Sequence, residues 1–217
     1  MSSRSFAPIG GSIRLRFPDE REFIPIAMDR PYTRLTDDDY DTKLREIGNY
    51  LWELEQELLT ADTGQDEAKA LQIQQKISSQ AAKADEFFET PGQHRFLAAY
   101  VAGLALRMIG QWSDASDRFL RVLKLSPTNG DAWLELSWCL AETGHWEECE
   151  MAARRGTEFF PETGAVWGNL ALALEKLGRS SEALSAVRTA LRLDPQDPRC
   201  QDLLNRLEAQ APASRRS

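Results

Sequence analysis

Residues 167–195 read WGNLALALEKLGRSSEALSAVRTALRLDP. Trp167, Leu170, Ala171 and Leu174 follow the i, i+3, i+4, i+7 spacing of one buried helix face, and Ala183, Val187 and Ala190 answer from a second segment. Gly178 between them suits the left-handed conformation that ends a helix, and Pro195 stops the second helix. The stretch therefore predicts helix, turn, helix, with small contact residues that let the two helices approach closely.

Outward from this stretch the same landmarks return at intervals of 34 residues. Gly110, Gly144 and Gly178 share the interval, as do Pro127, Pro161 and Pro195. So do Trp133 and Trp167, Trp112 and Trp146, the small residues Gly103, Ser137 and Ala171, and the leucines Leu106, Leu140 and Leu174. A fixed period of this length is the mark of a repeated unit that stacks on its own copies, because one unit cannot bury its apolar face alone.

These residues resemble the tetratricopeptide repeat (TPR) family, whose pattern runs from a Trp through Leu-Gly/Ala, a mid-repeat Ala, an aromatic and another Ala to a closing Pro. The resemblance covers residues 96–197 and is fullest in the third unit. The second unit has Cys149, Ala153 and Gly156 where the pattern has Ala, an aromatic and Ala. The first has Ala99 for the Trp and Val122 for the second Ala, but keeps Gly103, Ala115, Phe119 and Pro127. The resemblance implies an all-α fold, a right-handed α-solenoid of three helix-turn-helix units, with a concave groove that binds peptides or helices of other proteins.

The rest of the chain divides around the repeats. Residues 1–35 form an arm in which Ile13, Leu15 and Phe17 alternate with Arg14 and Arg16, which is strand spacing, and a turn at residues 18–21 leads to Phe23, Ile24, Ile26 and Met28. A lone hairpin is marginal in water, so this short extended arm either leans on the helical body or a partner, or stays disordered. Residues 36–92 read as an accessory helical hairpin that covers the first repeat. In its first helix Tyr40, Leu44, Ile47, Leu51, Leu54 and Leu58 keep heptad spacing. That stripe either packs inside its own chain or meets its copy in a dimer through residues 40–58. Residues 61–66, with Gly64, read as a loop. Residues 93–210 hold the solenoid and a polar cap helix with Leu203, Leu204 and Leu207, and residues 211–217 form a disordered tail.

Composition narrows the function. The 217 residues are 42% apolar and 28% charged, the balance of a soluble globular chain, and no apolar run approaches the roughly 20 residues of a membrane span. A cytoplasmic location is expected. A net charge of -8 argues against nucleic acid as a partner, because phosphates need a positive field. Residues 36–62 carry nine acids and two bases, whereas residues 1–35 carry six Arg and four acids. Like charges along the first helix oppose its self-pairing, so a monomer is expected.

Catalytic and cofactor motifs are not found. Gly10, Gly11 and Ser12 lack the spacing and lysine of a phosphate loop. Cys139, His145 and Cys149 have irregular spacing and no fourth ligand, so no metal site is expected, and Cys139, Cys149 and Cys200 are read as buried thiols. No enzyme activity and no cofactor are expected.

Binding is better supported. At about 100° per residue Leu134, Trp138 and Ala141 share a flank turned away from the packed face of Trp133, Leu136, Ser137 and Leu140. The resemblance implies that this flank lines the groove, where Tyr100, Leu104, Met108 and Leu172 join it and Arg107, Glu142, Glu175 and Lys176 form a charged rim. The family's clamp for the C-terminal carboxylate of heat-shock chaperones needs Lys and Asn side chains there. Only Asn169 and Arg199 could stand for them. The expected role is an adaptor or scaffold for another protein's apolar peptide or helix, the alternative being a dedicated chaperone that shields a hydrophobic client, similar in architecture to three-repeat bacterial secretion chaperones. The chain's own arm, through residues 23–28, is a further candidate to fill the groove.

Overall fold

Gly110, Gly144 and Gly178 have φ of 73°, 76° and 76°, so each inter-helix turn passes through the left-handed region that favours glycine. Around each, the same pair of bonds closes the helix. Gly144 N–H donates to the Ala141 carbonyl at 3.2 Å and His145 N–H to the Leu140 carbonyl at 3.0 Å, and the other two turns repeat this pattern.

The computed structural model describes residues 36–63 and 66–210. The arm of residues 1–35, residues 64–65 and the tail of residues 211–217 lie outside the described residues, and so do the expectations made for them. Among the described residues the chain is all helical. It runs α1 (Asp37–Thr63), α2 (Glu67–Phe88), α3 (Arg95–Met108), α4 (Trp112–Leu125), α5 (Gly130–Thr143), α6 (Trp146–Phe159), α7 (Gly164–Lys176), α8 (Ser180–Leu193) and α9 (Pro198–Gln210).

Each helix packs on the next, and the odd-numbered helices also touch one another directly, α1 on α3, α5 on α7 and α7 on α9. The even-numbered helices are splayed by comparison. This builds two layers of a curved solenoid, with the closer, odd-numbered layer on the inside of the bend.

The contact residues explain the close approach. A Cβ on Gly103 would lie 2.9 Å from the Phe119 ring, so that large ring is housed by the missing side chain. A Cβ on Gly156 would lie 2.5 Å from Val166 Cγ2, so the second unit's Gly in place of Ala makes room for a valine of the next helix. Trp133 and Trp167 fill the inter-unit seams and donate their indole N–H groups to the Pro127 and Pro161 carbonyls at 2.9 and 2.8 Å. On the outer layer Arg154 and Arg179 bridge Glu150 and Glu182, tying α6 to α8. These exposed pairs are worth only tenths of a kcal/mol each.

α1 begins with a reciprocal cap, in which Asp39 N–H donates to Thr36 Oγ1 and the Asp39 carboxylate accepts from Thr36 N–H. It continues to Thr63, further than the expected loop at residue 61. The reason is Ala61, which follows Leu58 on the same stripe and is buried. Leu44, Ile47, Leu51, Leu54 and Leu58 are all buried within the chain. Each such burial is worth about 1.5–3 kcal/mol, and the heptad stripe is spent on α2 and α3 rather than left open to a second copy. The hairpin of α1 and α2 thus continues the two layers, with α1 inside.

His94 locks α1 to the start of α3. Its buried ring meets the Asp37 carboxylate through Nδ1 at 2.6 Å and the Phe87 carbonyl through Nε2 at 3.1 Å, and it stacks on Tyr40 with centroids 4.1 Å apart.

Candidate functional site

The inner layer brings α1, α3, α5, α7 and α9 side by side, and its centre is Trp138 of α5. The indole is partly buried and leans on Trp112, the first residue of α4, with ring centroids 6.4 Å apart and planes at 22°. Arg107 of α3 lies over it at 4.9 Å from the centroid, and Arg199 of α9 at 5.6 Å. Its N–H donates to Glu142, one turn on, at 3.2 Å. Two cations, a second indole and a carboxylate thus hold the ring in one orientation.

The apolar residues expected to join it share one degree of burial. Tyr100, Leu104 and Met108 on α3, Leu134 and Ala141 on α5 and Leu172 on α7 are each partly exposed, while Trp133, Leu136, Ser137 and Leu140 are buried. The Tyr100 ring meets Phe119 edge-on at 5.8 Å, and burial, with Glu135 and Asp131 adding to it, raises its phenol above the ordinary range.

The charged residues divide differently from the expected rim. Glu142 and Lys176 are exposed, but the Arg107 and Glu175 side chains are only 14% and 10% exposed. Arg107 sits between Glu55 of α1 at 3.7 Å and Glu135 of α5 at 3.0 Å. Its Nε and the Glu135 oxygen touch as ions without the alignment of a hydrogen bond. Burial raises the Glu135 carboxyl against the opposing pull of Arg107, with Asp131 and Glu55 reinforcing the rise. Glu175 takes two bonds of 3.0 Å from Arg206 of α9. Both residues therefore tie neighbouring inner helices together beneath the groove.

Glu55, Glu135, Arg206 and Trp112 belong to this site and are not legible as such from spacing. Trp112 shows in the sequence only through its recurrence as Trp146, over which Lys176 lies at 5.9 Å. The other three act through partners on separate helices, which periodicity does not report.

Among the described residues no cluster of three or more His, Cys, Asp or Glu could hold a metal ion. Burial pushes the Cys139 and Cys149 thiols up to about 12, which leaves them un-ionised at neutral pH. Cys149 donates to the Ser137 carbonyl at 3.2 Å, and His145 pairs with Thr143. Among the described residues no helix is long and apolar enough to cross a membrane.

The family described as Tetratricopeptide repeat matches at residues 164–197 and again, through a second profile, at residues 119–151. Among solved structures the chain is similar to the Arabidopsis OM64 TPR domain, at 21% identity and a TM-score of 0.51 over 54% of this chain and 96% of that one. It is similar to MamA from Desulfovibrio magneticus RS-1, at 17% identity and 0.52 over 75% and 84%. A third likeness is to the second TPR domain of human RPAP3 in complex with the HSP70 peptide SGPTIEEVD, at 17% and 0.50 over 54% and 98%. No curated protein matches the sequence.

Proposed function

We propose that this chain, a tetratricopeptide repeat protein, works as an adaptor that holds an apolar peptide or an amphipathic helix of another protein against its inner face. Its fold is that of an interaction scaffold, and the RPAP3 domain of similar fold carries a chaperone peptide in its solved complex. The observation that carries the reading is Trp138, a large ring held in one orientation yet left partly open on the inner face.

An aromatic side chain that is already immobilised loses little entropy when a partner covers it, which is the economy of a binding hot spot. Leu104, Leu134 and Leu172 extend the apolar centre, and Glu142 and Lys176 supply a polar edge. Asn169 donates to Ser137 Oγ at 2.9 Å and Arg199 is laid on Trp138, so neither is arranged as a carboxylate clamp. This favours an apolar ligand over a C-terminal carboxylate.

The test is capture of the partner with the full chain, identification by mass spectrometry, and titration against Trp138→Ala. The variant should bind about 30-fold more weakly, or roughly 2 kcal/mol, with its helical circular dichroism retained. Undiminished binding would remove the groove from the site. A partner that is insoluble alone would favour the shielding chaperone over the adaptor.

A further inference from the structure

We infer that the outer layer carries a second binding site, a cavity between α4 and α6 that takes the guanidinium of an arginine side chain from another protein. The cavity measures about 70 Å3 and is lined by Ser116, Asp117 and Leu120 of α4, Thr143 at the end of α5, and His145 and Glu148 at the entry of α6. It lies between outer-layer helices rather than in the groove, so the inference stands whatever the groove holds.

The chain contains its own template for the occupant. Thirty-four residues after Ser116, Leu120, His145 and Glu148 stand Glu150, Arg154, Arg179 and Glu182. Those four close the next seam, between α6 and α8. Arg179 donates to Glu182 at 2.8 and 2.7 Å and to Glu150 at 2.9 Å, and Arg154 reaches Glu182 at 3.3 Å. In the earlier seam both arginines are missing and one of the two glutamates remains. Among the described residues that line the cavity there is no Lys or Arg. The same backbone frame thus keeps a carboxylate beside open space, where one repeat later two guanidinium groups sit.

Hydrogen-bonding capacity points to the same occupant. Ser116 gives its hydroxyl hydrogen to the Trp112 carbonyl at 2.9 Å, and Thr143 gives its own to the carbonyls of Cys139 and Leu140 at 2.9 and 3.2 Å. Thr143 can then only accept from His145 Nδ1, 2.8 Å away, which leaves Nε2 of the neutral ring as an acceptor. With the carboxylates of Asp117 and Glu148, these side chains offer lone pairs and no free donor. A ligand that fits must bring donors and positive charge.

Guanidinium meets that demand better than an ammonium. It carries five N–H donors in one plane and is less strongly hydrated, so it gives up water more readily. The half-buried Leu120 offers an apolar wall to the methylene stem. A water occupies about 30 Å3 in the liquid, so the cavity has the room of two or three waters. That admits the head of one side chain and not a whole free amino acid, which makes an arginine within a polypeptide the occupant.

The test is an NMR titration of the full chain with N-acetylarginine N-methylamide, and with its neutral isostere N-acetylcitrulline N-methylamide as the control. The His145 ring signals and the Leu120 methyl signals should shift and saturate with the first and stay in place with the second. Glu148→Gln should weaken binding about tenfold, the worth of one charge-assisted hydrogen bond, with helical circular dichroism retained. Ser116→Glu combined with Leu120→Arg and His145→Arg rebuilds the ion pairs of the later seam, and should abolish the response of the neighbouring Leu140 methyls. No shift, equal shifts from the citrulline amide, or undiminished binding by Glu148→Gln would overturn the inference. An equal response to the corresponding lysine amide would overturn the choice of arginine.

Discussion

The side-chain amide of Gln201 donates to the Pro195 carbonyl at 2.7 Å, in the place where Trp133 and Trp167 set their indole N–H groups on Pro127 and Pro161. Thirty-four residues after Trp167 the ring is gone and the hydrogen bond is kept. Gln201 is exposed, so a large apolar ring in its place would face water. The bond still ties the entry of the last helix to the loop before it.

Removing that bond should loosen the end of the solenoid. Gln201→Ala is expected to cost about 1 kcal/mol, the usual worth of one hydrogen bond, read as a shift in urea midpoint and faster amide exchange in α9. Gln201→Trp keeps an N–H donor and should lose less. Equal losses for both variants would count against the bond.

Gly178 isolates the cost of backbone conformation. Its φ is 76° and a Cβ would meet nothing within 4 Å, so a side chain is opposed by the left-handed region alone. Gly178→Val should destabilise by about 1 kcal/mol or more and Gly178→Asn by less. The check is chemical denaturation of both variants.

The contact of Arg107 with Glu135 makes a sharper prediction. Removing one partner of an ion pair this far withdrawn from water leaves the other largely uncompensated, which costs about 2–3 kcal/mol. Arg107→Ala should therefore destabilise more than Trp138→Ala, although the ring is larger. Glu135→Gln in the Arg107→Ala background should recover part of the loss, because the stranded, mostly desolvated charge is then gone. Thermal melts of the three variants decide it.

Acid stability should report the Asp37–His94 contact. The hydrogen bond to His94 lowers the Asp37 carboxyl below the usual carboxylate range. A depressed carboxyl contributes stability above its unfolded value, about 3.9, and loses that contribution as pH falls through its folded value. Asp37→Asn should flatten the acid side of the stability profile below about pH 4. An acid limb that matches the unaltered chain's would assign the loss to other carboxylates.

The recurrence at 34 residues determined the repeats, their turns and their buried stripes, because those features are local: a glycine with positive φ, a proline after a helix, and apolar residues on one face act within a few residues of chain. It also placed Trp138 on the flank opposite Trp133, since helical geometry alone sets that angle. The layer to which α1 belongs was decided by packing, for α1 and α2 do not share the period and join the stack through Asp37, His94 and the buried stripe from Leu44 to Leu58. Arg107 and Glu175 look like surface charges in sequence. They are largely withdrawn from water because Glu55 and Glu135 meet the first and Arg206 the second, across helices that only the stacking of units brings within 4 Å, and a charge can leave water only where such partners replace its solvation.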